Sequence, residues 1–238
     1  MPTKVDAILF DKDGTLFDFR KSWGQWAVSL LQNLTPDPAE QRRLGAVIGY
    51  DLATQRFAPD SPVIAATPSE IAAVLAPHYA ALTADQLEIR MNLLAAGARM
   101  APAVPLAPLL QRLRDMGLRL GVATNDATTP AQAHLAQAGI AAFFDRVLGC
   151  DSGFGSKPDP GMLTAFANHT GISPARIAMV GDSRHDLHAA RAAGMVAVGV
   201  LTGVADRQDL EPHADVVLPD ISHLPDWLCA QPNADPGR

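Results

Sequence analysis

The sequence predicts an α/β fold: a parallel β-sheet with helices on both faces, into which a separate bundle of helices is inserted. Three observations predict it. Short apolar runs with little polar alternation recur along the chain, as expected of parallel strands buried on both faces. Beyond about residue 98 these runs alternate with segments of helical period, the pattern of repeated β-α units. Between about 20 and 97, helical stretches follow one another with no strand-like run between them.

The elements follow in order. Val5–Phe10 reads as the first strand. After Asp18, residues Trp23, Trp26, Leu30, Leu31 and Leu34 share one helical face. Asp37-Pro38-Ala39-Glu40 is a helix start, with an N-cap, a proline at the first helical position and an acid in the first turn. Thr67-Pro-Ser-Glu70 and Thr83-Ala-Asp-Gln86 each have the form of a capping box. These starts give four helices, with Ala58–Pro62 as their longest loop and Arg99–Pro105 as the linker that follows. Leu106, Leu109, Leu110, Leu113 and Met116 form the next helical stripe, and Leu118–Ala123 the next strand. A helix from Thr129-Pro130 to near Gly139, a strand over 146–149 and a helix over 160–170 ending at Gly171 come next. Strand 177–180, a helix over 186–193 ending at Gly194, strand 196–200 and strand 216–218 complete the series, and the Pro-containing tail Gln231–Arg238 is expected to be loose.

Composition narrows the function. With 238 residues and 48% apolar content, the chain can bury a sizeable core in one or two domains. A net charge of −6 with no block of Lys or Arg argues against nucleic acid as a partner. No apolar run is long enough to cross a bilayer, and the N-terminus carries no signal-peptide apolar region. Cys150 and Cys229 form no C-x-x-C, so free thiols in a reducing compartment are expected; together these features predict a cytoplasmic protein.

The chemistry gathers at strand ends. The first strand runs into two carboxylates one residue apart, Asp11 and Asp13, after which Gly14 and Thr15 turn the chain. Buried acids are costly unless a cation or hydrogen-bond donors meet them, and oxygen-only ligands point to Mg²⁺. Strand 118–123 runs into Thr124-Asn125, and strand 177–180 runs through Gly181 into Asp182, with Asp186 four residues on. Ser156-Lys157-Pro158-Asp159-Pro160 opens a helical segment between them. In open parallel sheets the reactive crevice lies beyond the C-terminal strand ends, where Asp11, Thr124 and Asp182 are all expected.

These four pieces, in this order, resemble the haloacid dehalogenase superfamily of Asp-dependent phosphatases, most closely its phosphoglycolate-phosphatase-like branch. The stretch Gly181-Asp-Ser-Arg-His-Asp-Leu-His-Ala-Ala-Arg-Ala-Ala-Gly194 is especially specific. The resemblance implies a Rossmann-like, doubly wound core over about 1–17 and 98–238, and a helical cap over about 18–97 that closes on the substrate and sets specificity. It implies that Asp11 attacks phosphorus to give an aspartyl-phosphate and that Asp13 serves first as general acid, then as base. Asp13 would then start protonated, which its neighbouring acid favours by like-charge repulsion. Mg²⁺ would be held by Asp11, the backbone carbonyl of Asp13 and Asp182, with Asp186 supporting directly or through water. Lys157 would offset charge and order Asp11. The Thr124 hydroxyl and the Asn125 backbone N–H would hold phosphate oxygens, and Gly14 would let the backbone approach the phosphate.

The expected substrate is therefore a small phosphate ester, phosphoglycolate first, handled by a monomer or homodimer. A dehalogenase is disfavoured because the resemblance gives those enzymes no second acid like Asp13. A sugar-phosphate mutase of the same fold and a catalytically silent binding protein remain as rivals.

Several residues carry plainer readings. Asp182 and Asp186 could be ordinary helix N-terminal acids, which would predict no metal dependence. His185 and His188 stand at a Zn²⁺-compatible spacing but lack a third ligand, so a surface helix is expected. Trp23 and Trp26 read as bundle packing rather than a stacking platform. Arg20 and Lys21 either guard the entrance or are solvated helix-start cations. Lys12 departs from the family, which more usually has an apolar residue between the two acids; its side chain is expected to point away from its neighbours.

Overall fold

The structure is a computed structural model that describes residues 4–230, so the tail at 231–238 lies outside the described residues. Strand β1 (Ala7–Phe10) comes first and is fully buried. Helix α1 (Phe19–Leu34) follows; the carboxylate of Asp18 caps it by accepting from the Lys21 N–H at 3.0 Å. Asp37 caps α2 (Pro38–Val47). Both predicted capping boxes form, Thr67 with Glu70 at α3 (Pro68–Leu75) and Thr83 with Gln86 at α4 (Ala84–Ala96).

One expectation fails in this segment. A two-stranded antiparallel ribbon, β2 (Tyr50–Asp51) and β3 (Arg56–Phe57), interrupts the helices. Strands of two residues are too short to leave an alternating pattern. Besides the cross-strand ring pair Tyr50–Phe57, what holds the ribbon is tertiary: the Phe57 ring lies 5.5 Å from that of Phe19, and the Tyr50 hydroxyl donates to the Gly24 carbonyl at 2.9 Å.

The helices of this segment share their own apolar core. Trp23, Trp26, Leu30, Leu31 and Leu34 all enter it, as the helical face predicted, against residues such as Leu44, Ile71, Leu75 and Met91. The chain crosses between this core and the sheet twice, side by side. Phe17 bridges to Pro102, the Asp18 N–H donates to the Ala101 carbonyl at 2.8 Å, and the Ala103 N–H donates to that of Leu16 at 3.0 Å.

After the second crossing come α5 (Leu106–Asp115), β4 (Arg119–Ala123), α6 (Thr128–Gln137), β5 (Arg146–Leu148) and α7 (Gly161–Thr170). Then follow β6 (Ile177–Gly181), α8 (Arg184–Ala193), β7 (Val196–Val200), α9 (Arg207–Leu210), β8 (Val216–Leu218) and α10 (Leu224–Cys229). The sequence pattern does not announce α9 or α10, which are 4 and 6 residues long, too short for a period to show. Met116, expected to end the buried stripe of α5, is exposed at its C-cap.

The sheet has six strands in the order β5-β4-β1-β6-β7-β8, with every adjacent pair parallel. Alternate residues of β1 serve opposite layers, as a period of two requires. Ile8 and Phe10 pack with Leu120, Val122 and the α5 leucines, whereas Ala7 and Leu9 pack with Met179 and residues of α7 and α8. Burial on both faces is why the central strands read as unbroken apolar runs. No helix of the described residues is long and apolar enough to cross a membrane.

Candidate active site

Three adjacent strands, β4, β1 and β6, deliver the site. Thr124, Asp11 and Asp182 each stand one residue past the C-terminal end of their strand. The sheet half therefore brings the predicted residues together, with Asn125, Lys157 and Asp186, on the floor of one cleft roofed by the helical segment.

Lys157 is the hub. Its ammonium donates to Asp11 Oδ1 at 2.5 Å, Asp186 Oδ1 at 2.7 Å and the Ala123 carbonyl at 2.8 Å. Burial works against its charge, but the adjacent Asp11 and Asp186 outweigh that and hold its pKa above the ordinary lysine value. Asn125 fixes the backbone that presents it: its side-chain oxygen accepts the Lys157 N–H at 2.8 Å, and its amide donates to the Lys157 carbonyl at 2.9 Å. The same amide donates to Ala65 in the roof at 2.8 Å, tying floor to roof. These side-chain bonds of Asn125 come in addition to the backbone role the sequence predicts for it.

Asp186 is placed by local structure. It is the third residue of α8 and completes a capping box with Ser183, its Oδ2 accepting from the Ser183 N–H at 3.0 Å and hydroxyl at 2.6 Å. Asp186 thus stands in the first turn of a helix with one oxygen on the cap, while its other oxygen faces Lys157. Carboxylate oxygens of Asp11, Asp182 and Asp186 lie within 4.8 Å of one another. Burial, partly offset by Lys157 and reinforced by Asp186 and Asp13, pushes Asp11 up to about 7. Burial, then the charges of Asp11 and Asp186, raise Asp182 well above the usual carboxylate range.

These residues fit a divalent cation. Three buried acids face one lysine, and among the described residues no side chain donates to Asp182. The Asp182 carboxylate lies between two glycines: a Cβ on Gly14 or on Gly203 would collide with it. A hard, all-oxygen cluster of this kind suits Mg²⁺ or a similar ion.

Gly14 is tied to the acid cluster: its N–H is bonded to the Phe17 carbonyl at 2.7 Å, its φ is +86°, and the space a side chain would fill belongs to Asp182. Thr202 holds the Gly14 carbonyl from the other side, its hydroxyl donating at 2.5 Å. Lys12 was expected to point away from its neighbours, but it is fully buried and its ammonium reaches both oxygens of Asp13, at 2.8 and 2.7 Å. A long flexible side chain folds back because Asp13, Asp126 at 3.2 Å and His134 at 3.1 Å meet its charge in an otherwise apolar interior. Asp13 therefore has a cation in contact with it as well as the like charge that was anticipated.

No motif in the sequence marks His134 or Asp126. His134 lies on the buried face of α6. Burial, then the Lys12 charge, push His134 down to about 4, while burial pushes Asp126 up to about 6. His188 has a nitrogen neighbour that its spacing from His185 does not announce, His213 Nδ1 at 3.3 Å from its Nε2. His185 and His188 are exposed on α8, and Arg20 and Lys21 are exposed, with Lys21 paired to Asp18 at 2.8 Å. Trp23 and Trp26 pack edge to face with centroids 5.1 Å apart, and both also line the cleft.

A family model for haloacid dehalogenase-like hydrolases matches residues 5–194. The phosphoglycolate phosphatase of Rhodospirillum rubrum is 33% identical over 240 residues, covering 96% of this chain and 93% of that protein. Probable phosphatase IndB of Dickeya dadantii is 33% identical over 215 residues, covering 90% of this chain and 88% of that protein. Among solved structures, a predicted phosphoglycolate phosphatase from Haemophilus somnus superposes with a TM-score of 0.70 at 22% identity, covering 94% of this chain and 98% of that one. The chain belongs to the haloacid dehalogenase-like hydrolases. Within them it falls in the phosphoglycolate-phosphatase-like branch, and it is an enzyme of the phosphoric monoester hydrolase class.

Proposed function

We propose that this protein hydrolyses a small-molecule phosphomonoester in two steps, through a phosphorylated Asp11, with Mg²⁺ at the acid cluster. The observation that carries the reading is the convergence of Asp11, Thr124, Lys157, Asp182 and Asp186 at the ends of three adjacent strands. Asp11 is the only one of the acids at the end of the central strand β1, with Lys157 bonded to Oδ1 and Oδ2 left as the attacking atom. Asp13, beside it, protonates the leaving alcohol and then takes the proton of the hydrolytic water. Thr124 and the Asn125 backbone N–H hold phosphate oxygens. Lys157 has its three N–H groups directed at protein oxygens, so it acts on the phosphate by charge and by orienting Asp11. When bound, Mg²⁺ would be held by Asp11, Asp182 and the Asp13 carbonyl, with Asp186 behind them, and would neutralise charge between carboxylate and phosphate.

The helical segment over 18–97 acts as the cap that covers the bound ester, with the paired crossings at 16–18 and 101–103 as its hinge. Phosphoglycolate, named in the relatives, is the reference ester. Phosphate release from a panel of phosphomonoesters, with Mg²⁺ and with chelator, tests the reading. Release that requires Mg²⁺ and disappears in Asp11→Asn is expected; release that survives in that variant would sink the nucleophile assignment.

A further inference from the structure

The roof of the cleft differs in chemistry from its floor. The floor is carboxylate, hydroxyl and ammonium; the roof is Phe19, Trp23, Trp26, Val63, Ile71 and Met91. Among the described lining residues the cationic side chains are Lys157, whose N–H groups are directed at protein oxygens, and the rim residue His185 if protonated. Asn92 is the roof's one polar side chain of ordinary reach, and the Trp23 indole N–H is buried without a partner. A carboxylate held under such a roof would lose its hydration and find no cation there, only the neutral donors of Asn92 and Trp23. An apolar group would lose water from both surfaces to its advantage.

Resting on the phosphatase reading, we propose that the preferred substrate is a phosphomonoester of an uncharged alcohol with a substantial apolar or aromatic surface, not of an acid such as glycolate. The floor takes the phosphate and the roof takes the hydrocarbon. Hydrolysis of n-hexyl phosphate, 2-phenylethyl phosphate, glycerol phosphate and phosphoglycolate by the Mg²⁺-loaded full chain tests this, because their alkyl leaving groups are chemically alike. The first two are expected to exceed phosphoglycolate in kcat/KM by at least about tenfold. Phosphoglycolate matching or exceeding them overturns the substrate class while leaving the phosphatase reading standing. Release from none of the esters overturns both. Asn92→Lys, which adds a cation to a half-exposed roof position, should move the ratio toward phosphoglycolate; an unchanged ratio counts against the roof as the discriminating surface.

A separate observation concerns Lys12, and it too rests on the phosphatase reading. Its ammonium holds both oxygens of Asp13, donates to His134 Nδ1 at 3.1 Å, and lies 5.2 Å from the centroid of the Trp23 ring. His134 Nε2 donates to the Ala95 carbonyl at 2.7 Å, which leaves Nδ1 as the acceptor that Lys12 needs. Asp126 and His134 belong to the sheet half, whereas Trp23 and Ala95 belong to α1 and α4 of the roof. The geometry points to Lys12 as a positioning residue that holds the Asp13 carboxyl for proton transfer.

The test is Lys12→Met, with Lys12→Met/Asp126→Asn to restore charge balance if the single variant fails to fold. A misplaced proton donor harms esters with poor leaving groups and spares those with good ones. The drop in kcat is expected to be at least about tenfold larger for 2-phenylethyl phosphate than for p-nitrophenyl phosphate, the pattern Asp13→Asn should also give. Equal loss on both esters overturns the positioning role, since a merely structural defect does not discriminate leaving groups. No turnover of either ester by the wild type would instead overturn the phosphatase reading beneath it.

Discussion

Asp182 shows how tightly single residues are specified. Gly203 has no unusual backbone angle, so its requirement is one of space: any Cβ would displace the Asp182 carboxylate. Gly203→Ala should therefore leave the fold intact and raise the Mg²⁺ concentration for half-maximal activity by about 10- to 100-fold. A Mg²⁺ titration of wild type and variant, read with a thermal melt, checks it.

His134 makes a pH prediction at the same scale. Its pKa falls from an ordinary 6.5 to about 4 in the folded protein, so between those values the unfolded chain binds the extra proton. Its contribution is complete above about pH 6.5 and is lost as pH falls toward 4, an effect of up to about 3 kcal/mol. The raised acids Asp11 and Asp126 act with the opposite sign over the same range, so the readout is a difference. Urea midpoints at pH 5 and pH 7 should show wild type losing more stability on acidification than His134→Gln. An equal loss in the two proteins would contradict a buried neutral imidazole.

At the scale of elements, helix starts are the most legible feature of the chain. Asp18, Asp37, Thr67, Thr83 and Ser183 all cap helices, and the motifs at Asp37, Thr67 and Thr83 announce three of these starts. Thr83 is a clean test because α4 carries Met91, Asn92 and Ala95 to the cleft. Thr83→Ala should cost about 1 kcal/mol of stability, measured by denaturant unfolding. The β2–β3 ribbon shows the opposite case. Two residues on each side leave no period, and it is anchored by contacts across the segment, Tyr50 to Gly24 and Phe57 to Phe19.

At the scale of the whole molecule, the floor is built by three strands and the roof by a segment whose core is separate from theirs. A cation at the acid cluster should bind the folded chain alone and stabilise it by mass action. Mg²⁺ at about 100 times its Kd is expected to add about 2.7 kcal/mol, seen as a rise in Tm that chelator reverses. Asp182→Asn should abolish that rise. A Tm indifferent to Mg²⁺ in the wild type would remove the metal from the site.

The sequence by itself determined the parallel sheet, the inserted helices and the residues that meet at the strand ends. It could do so because those features are local: buried strands leave apolar runs, caps leave short motifs, and Asp11, Thr124 and Asp182 directly follow their strands. Only the tertiary structure decided what meets what across the chain. Lys12 turns back onto Asp13 because Asp126 and His134, more than a hundred residues away, form the polar pocket that can hold a buried ammonium. Gly14 and Gly203 matter because both abut one carboxylate, and the roof is apolar because three separate stretches of the inserted segment converge above the floor. Such contacts join residues with no fixed spacing between them, and no period or motif in a sequence encodes a distance of that kind.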